Sequence, residues 1–164
     1  VVGEQLVAFE IKSDIDNLDK LCEQIDSYNK SFHSTYIVTT EKHLNSVRKK
    51  SPSNVGIYIF KSGSINKIRK PSKRKRLDKR NLMSMIDRNV IEKNIVSRHI
   101  KQSNLKAMNM EELYELATSI LNQREIEIIV RNTLSQKYLE GYSLFISERG
   151  EKTLEDDLPL LGKA

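Results

Sequence analysis

The stretch VAFEIKSD, residues 7 to 14, sets a glutamate and a lysine two apart in a run that otherwise reads as a buried strand. Side chains alternate along a strand, so Ala8, Glu10 and Lys12 share one face while Val7, Phe9 and Ile11 share the other. The apolar row is expected to pack on the core. On the opposite face the carboxylate and the ammonium stand about 7 Å apart by strand rise, close enough to serve one small ligand. Such a carboxylate suits Mg2+ (or Mn2+), which takes oxygen ligands and keeps several waters beside substrate phosphates. A lysine beside it can hold a water or stabilise developing charge. Spacing alone does not settle the role, because Glu-x-Lys recurs by chance and an ion pair on a solvated strand is its commoner meaning.

Working outward, residues 5 to 12 alternate as a strand, and Val1, Val2 and Gly3 read as the end of a preceding strand and its turn, so the chain is expected to open inside a β-hairpin. From Asp16 to Tyr28 the apolar positions Leu18, Leu21, Cys22, Ile25 and Tyr28 fall at helical spacing, with Asp16 as the expected N-cap. Residues 36 to 40 (YIVTT) and 55 to 60 (VGIYIF) predict strands, with a short helix at 41–49 between them. Strand, crossover helix and strand imply a partly parallel sheet. The turn KSGS and the alternating INKIRK then make residues 55 to 70 a hairpin. Beyond it the periodicity is helical, over 77–100, 111–121 and 123–139. The predicted architecture is α/β, a mixed sheet flanked by helices with a C-terminal helical extension. It divides into a core at 1–70, a basic loop and helical part at 71–149, and a tail at 150–164.

Composition narrows the class. The 164 residues carry a net charge of +6, and one segment supplies it: nine of the fourteen residues from Lys67 to Arg80 are Lys or Arg, and only Asp78 is acidic. Within it, Lys67, Arg69, Lys70, Lys73, Arg74, Lys75 and Arg76 are candidate phosphate contacts, since clustered cations release counterions from nucleic acid. The segment holds no aromatic residue, so base stacking has little support there. A solvated loop is its plain alternative. The single cysteine excludes an internal disulfide. No apolar run approaches the ~20 residues that span a bilayer, so no membrane partner is expected. Cys22 reads as a core thiol, and His33, His43 and His99 as surface or loop residues.

The string FEIKSDIDNLDKLCEQIDSY, residues 9 to 28, resembles the second half of the active-site motif of the PD-(D/E)XK nuclease superfamily, and more narrowly its small bacterial and phage members. Asp16, Gln24 and Tyr28 match the helix that follows the Glu-x-Lys strand there, and the likeness continues through YIVTTEKHL and NVGIYIF. The resemblance implies a restriction-endonuclease-like core and a metal-dependent nuclease acting on nucleic acid, DNA foremost, in a bacterial or phage-encoded, cytoplasmic setting. Glu10 and the Ile11 carbonyl would hold the metal, Lys12 would orient the water, and Gln24 would contact the metal site or a phosphate. Asp14 and Asp16 read as turn and cap groups. The family's first aspartate has no counterpart here, because nothing acidic precedes Glu4; it is expected just upstream of Val1. A homodimer would suit cutting of both strands. Two rival classes stand beside this one: a nucleic-acid-binding protein that keeps the fold without catalysis, and a module whose helices bind a protein partner.

Overall fold

Short β-branched and aromatic runs, punctuated by turn residues, form four strands in the N-terminal half, and amphipathic segments join the first three. The computed structural model describes residues 4–96 and 100–148. It shows β1 (Val7–Lys12), α1 (Leu21–Ser31), β2 (Ser34–Thr39), α2 (Glu41–Lys50), β3 (Gly56–Lys61) and β4 (Ser64–Arg69). The strands lie in the order β1-β2-β3-β4. The first three are parallel, and β4 returns antiparallel to β3. The hairpin turn uses left-handed backbone at both central residues, Ser62 at φ 50° and Gly63 at φ 76°, as a two-residue connection between twisted strands requires.

Leu21 and Ile25 of α1 and Val47 of α2 pack with Ile37 and Ile57 of the sheet, and Leu18 and Val55 complete this cluster. Because Ile37 and Ile57 are register partners, both helices lie on one face of the sheet. The sheet is mixed and flanked by helices, as expected, with α1 and α2 on one face and the other face open within this unit. On that face Phe9 is 49% exposed and Ile11 69%.

The faces of β1 are the reverse of the expected ones. Ala8, Glu10 and Lys12 are buried on the helix side, and the apolar row points away from it. Two contacts account for the inversion. Glu10 and Lys12 satisfy each other beneath α1, and Phe9 stacks on Tyr36 of β2 on the outer face, with ring centroids 5.2 Å apart and planes 8° from parallel. A binary pattern cannot see a polar pair that is satisfied inside or an aromatic pair that is satisfied outside.

Helix α1 starts at Leu21, five residues after the expected cap. Asp16 spends its carboxylate on the turn before it, accepting from the Ser13 backbone N–H at 2.7 Å and the Ser13 hydroxyl at 2.5 Å.

A second compact unit begins at Met83 rather than near residue 70, so the basic segment belongs with the sheet. After α3 (Lys79–Met83) come α4 (Arg88–Val96), α5 (Gln102–Ala107), α6 (Met110–Ile120) and α7 (Gln123–Glu148). Ile91, Ile95, Leu105, Leu113, Ala117, Ile126 and Val130 are its buried residues of largest consequence. Both long helices open on a reciprocal Asn-x-x-Glu cap. Glu112 N–H donates to Asn109 at 3.0 Å and Asn109 N–H to Glu112 at 2.8 Å; Asn122 and Glu125 repeat the pair. The short α5 was not expected, since Leu105 is its one buried residue. Arg88 closes its end, donating to the carbonyls of Leu105 at 2.6 Å and Met108 at 2.9 Å. The last described strand is β4. The expectations for Val1, Val2, His99 and the tail at 150–164 lie outside the described residues. No helix among those described is long and apolar enough to cross a membrane.

The Tyr36 ring lies across Gly56 of β3. A Cβ at Gly56 would meet Tyr36 Cδ1 at 2.4 Å and Pro71 Cδ at 2.9 Å. Gly56→Ala is therefore expected to cost about 1–3 kcal/mol, read in urea as a lower midpoint at unchanged slope.

Candidate functional site

Residue spacing along β1 and the placement of α1 create a closed polar cluster. Lys12 Nζ stands 3.0 Å from Glu10 Oε1, with both side chains about nine-tenths buried. The Tyr28 hydroxyl, carried over the strand by α1, donates to Glu10 Oε2 at 2.7 Å. Burial first, and then this bond to a carboxylate, push the Tyr28 phenol up to about 12. Buried polar atoms without hydrogen bonds include the His43 Nε2 in the first turn of α2, just after β2, and two more. Thr39 is the register partner of Lys12 and its hydroxyl is buried, as is the Oε1 of half-buried Gln24.

The structure thus joins Glu10 to Lys12 and adds Tyr28, whose role the sequence did not disclose. The Ile11 side chain points to the opposite, open face. Asp14 is a turn group, as expected, and Asp16, expected to cap the helix, serves the turn before it instead. Asp14 accepts from the Thr40 hydroxyl, and Lys42 donates to its carbonyl. Bonds from the Ser13 hydroxyl and backbone hold Asp16 below the usual carboxylate range, with Lys12 and His43 adding positive charge nearby. Among the described residues, no group of three or more His, Cys, Asp or Glu is arranged to hold a metal ion.

The basic segment is built into the sheet at a different place. A register shift between Ile57 and Tyr58 leaves Lys67 opposite Tyr58 but sets Arg69 opposite Ile57, on the helix side. There Arg69 donates to Val55 O at 2.7 Å, Ser51 Oγ at 2.6 Å and Pro52 O at 2.9 Å, closing the end of α2. Arg74 turns inward too, donating to Asn29 Oδ1. Burial lowers the pKa of both guanidinium groups from the ordinary arginine value. These two candidate phosphate contacts are therefore structural side chains.

The backbone of the segment is held beside the N-terminal ends of β2 and β3. Ser72 N–H donates to Asn54 O at 3.0 Å, Arg74 N–H to His33 O at 2.8 Å and Asp78 N–H to Lys30 O at 2.8 Å. Lys12, by contrast, is the last residue of β1. Residues 72–78 and the Glu10–Lys12 pair thus occupy opposite ends of the parallel strands, about 13 Å apart by strand rise at Glu10 and about 20 Å at Lys12. Lys67, Lys70, Lys73, Lys75 and Arg76 are exposed.

An aromatic row, drawn from three strands, lies on the open face. Phe9 stacks on Tyr36, Tyr36 approaches Tyr58 at 5.0 Å between centroids, and Lys67 Nζ sits 5.6 Å over the Tyr58 ring. The basic segment contains no aromatic residue of its own, but the fold places the Tyr58 ring, one of three in mutual contact, beneath its first lysine. Neighbouring strands meet at fixed register, which spacing along one segment cannot reveal.

The expectation for Cys22 is corrected, while His33, a loop residue as expected, is more enclosed than a loop position implies. Cys22 is exposed, with its thiol 3.7 Å from the Lys50 carbonyl, because the core face of α1 is taken by Leu21 and Ile25. His33 is buried, and its Nδ1 accepts from Leu6 N–H at 3.2 Å, tying the start of β1 to the start of β2.

Comparison with known proteins gives a family. The model of the family described as Bacteriophage P4 protein cII matches residues 1–162. Protein cII of Enterobacteria phage P4 is 38% identical over 64 residues, which make up 39% of this chain and 24% of that relative. The chain thus spans about a quarter of the length of the curated relative it matches. No solved structure matches. The family match overturns the assignment to the PD-(D/E)XK nuclease superfamily and the nuclease activity drawn from it. Glu-x-Lys carried that assignment, and in this fold those two side chains are an ion pair covered by α1.

A buried pair and a solvated pair differ in what substitution costs. Lys12→Met leaves the Glu10 carboxylate buried with Tyr28 alone and is expected to destabilise the protein by about 3 kcal/mol. Glu10→Leu combined with Lys12→Met should recover more than half of that loss. A pair in water would show less than ~1 kcal/mol in either variant, so urea denaturation of the single and double variants checks the burial.

The phenol gives a second check. Its folded pKa, about 12, lies above the value of about 10 for an unfolded chain. The stability it contributes is fully present below pH ~10 and is lost as pH rises toward about 12. In an absorbance titration of phenolate, Tyr28 should ionise last, and Tyr28→Phe should remove that step alone. Six tyrosines ionising together near 10 would contradict it.

Proposed function

The chain belongs to the Bacteriophage P4 protein cII family, and we propose that it binds nucleic acid, DNA foremost, through phosphate contacts of its basic segment, as a binder and not as a nuclease. One observation carries this reading. The segment is fastened to the sheet by its backbone, with Arg69 and Arg74 turned inward as struts, while Lys67, Lys70, Lys73 and Arg76 face solvent. A fastened row of cations meets a phosphate backbone at a smaller entropic cost than a free loop, because its backbone is already ordered. Contacts of this kind position the ligand without reading its sequence, so the binding is general and strongly dependent on salt.

The rest of the chain carries 19 basic and 21 acidic side chains, so long-range attraction of a polyanion is concentrated on this one segment. A second reading, a helical module that binds a protein partner, draws on α7. There the exposed Leu139, Tyr142 and Ile146 stand three and four residues apart on one helix face.

Fluorescence anisotropy of a labelled DNA duplex, titrated between 50 and 200 mM salt, tests the main reading. Affinity should fall by about 0.9 in the logarithmic salt slope for each phosphate neutralised. The triple variant Lys70→Gln, Lys73→Gln, Arg76→Gln should bind at least ~10-fold more weakly at low salt, with a slope shallower by about 2 to 3. The duplex should be recovered intact. An unchanged slope in the triple variant would overturn the assignment.

A further inference from the structure

The open face of the sheet has an unusual composition for a surface in water. Phe9 is 49% exposed, Ile11 69%, Phe60 47% and Ile65 62%, and they border a row of rings in mutual contact. Contiguous exposed apolar area of this kind marks a binding surface. Its geometry is specific. Register pairs Phe9 with Tyr36 and Tyr36 with Gly56, and the next row joins Val38, Tyr58 and Lys67. Gly56 leaves no Cβ against it, so the Tyr36 ring packs on β3, with the Phe9 ring stacked on it and the Tyr58 ring tilted against both, 6.5 Å from Phe9. The row ends in a cation, because Lys67 sits over Tyr58, and Lys70 follows as the chain leaves the sheet.

Flat rings take a flat apolar ligand, and lysines at the margin require it to be anionic along one side. Bases joined by a phosphate backbone have both properties. Exposed aromatics on an open four-stranded sheet hold two or three unstacked bases in this manner, and such stacking tolerates any sequence because every base presents a π face.

We propose that the exposed Phe9 ring and the half-buried Tyr58 ring, both packed on Tyr36, form a stacking platform for the bases of single-stranded nucleic acid, with Lys67 and Lys70 holding its phosphates. This deepens the reading of the basic segment as a phosphate-binding surface and rests on it. Duplex DNA, whose bases are already stacked and paired, engages the lysines without the platform. Single strands engage both.

The test compares two ligands of equal charge, a labelled oligothymidylate and an abasic oligomer of the same length, on the full chain. The unmodified protein should bind oligothymidylate ~5- to 100-fold more tightly than the abasic oligomer, the range expected when one or more bases stack. Phe9→Leu keeps the apolar area and the strand preference but removes the ring. It should lower oligothymidylate affinity toward the abasic value while leaving abasic affinity and the salt slope unchanged; Tyr58→Leu should do the same. Equal binding of the two ligands by the unmodified protein would overturn the platform and leave the phosphate-binding reading standing. Failure to bind either would overturn both. Sedimentation velocity supplies the remaining outcome. A dimer that Phe9→Leu dissociates would show that a second copy covers this face, and would also overturn the platform.

Discussion

The contact between Glu10 and Lys12 beneath α1 decides which side of β1 is inside. Strand alternation has a period of two, so a slip of one residue would exchange the rows and put Phe9 and Ile11 against the core. A lone carboxylate on the helix side would make the observed choice costly. Here the ammonium neutralises one oxygen at 3.0 Å and the Tyr28 hydroxyl satisfies the other at 2.7 Å. A paired charge is tolerated inside only when its remaining lone pairs find donors, and α1 is placed to supply one. The outer row is held by the other half of the same balance, the offset stack of Phe9 on Tyr36.

From that choice the division of labour in the sheet follows. The helix side carries the aliphatic cluster of Leu21, Ile25, Ile37, Val47 and Ile57 together with a polar pair closed to solvent. The open side carries rings and a lysine. At the far edge one bulge performs a second sorting, sending Arg69 to the helix side to close α2 and keeping Lys67 with the rings. Charge is therefore used in two ways within a few residues: Arg69 and Arg74, whose forked donors can satisfy several acceptors at once, brace the fold, while Lys67, Lys70, Lys73 and Arg76 stay in water.

Much of the framework was legible in the sequence. The three parallel strands, the hairpin and the helix at residues 41–49 fall where β-branched runs, turn residues and helical spacing put them, because each signal is local. What escaped notice depended on neighbours remote in sequence. The inversion of β1 needs Tyr28 and Tyr36; the inward turn of Arg69 needs a bulge opposite Ile57; burial of His33 needs the Leu6 backbone. The aromatic row was invisible for the same reason, since Phe9, Tyr36 and Tyr58 are 27 and 22 residues apart and become one surface only through register. Glu10 and Lys12 form an ion pair, the commoner meaning of Glu-x-Lys, and the nuclease family that the motif suggested is overturned by the family match. The helix expected from residue 123 starts there, and that expected from 111 starts one residue earlier, each behind an Asn-x-x-Glu cap that is itself a local signal.

The charged row of β1 is inside and its apolar row outside, and covalent footprinting of the folded chain measures this without any ligand. Brief amine labelling with mass-spectrometric readout should modify Lys70 and Lys73 rapidly and Lys12 slowly. Hydroxyl-radical oxidation in parallel should reach Phe9 and Ile11 readily. Lys12 labelled as fast as Lys70, with Phe9 and Ile11 protected, would show the opposite face of β1 against the helices and contradict the account.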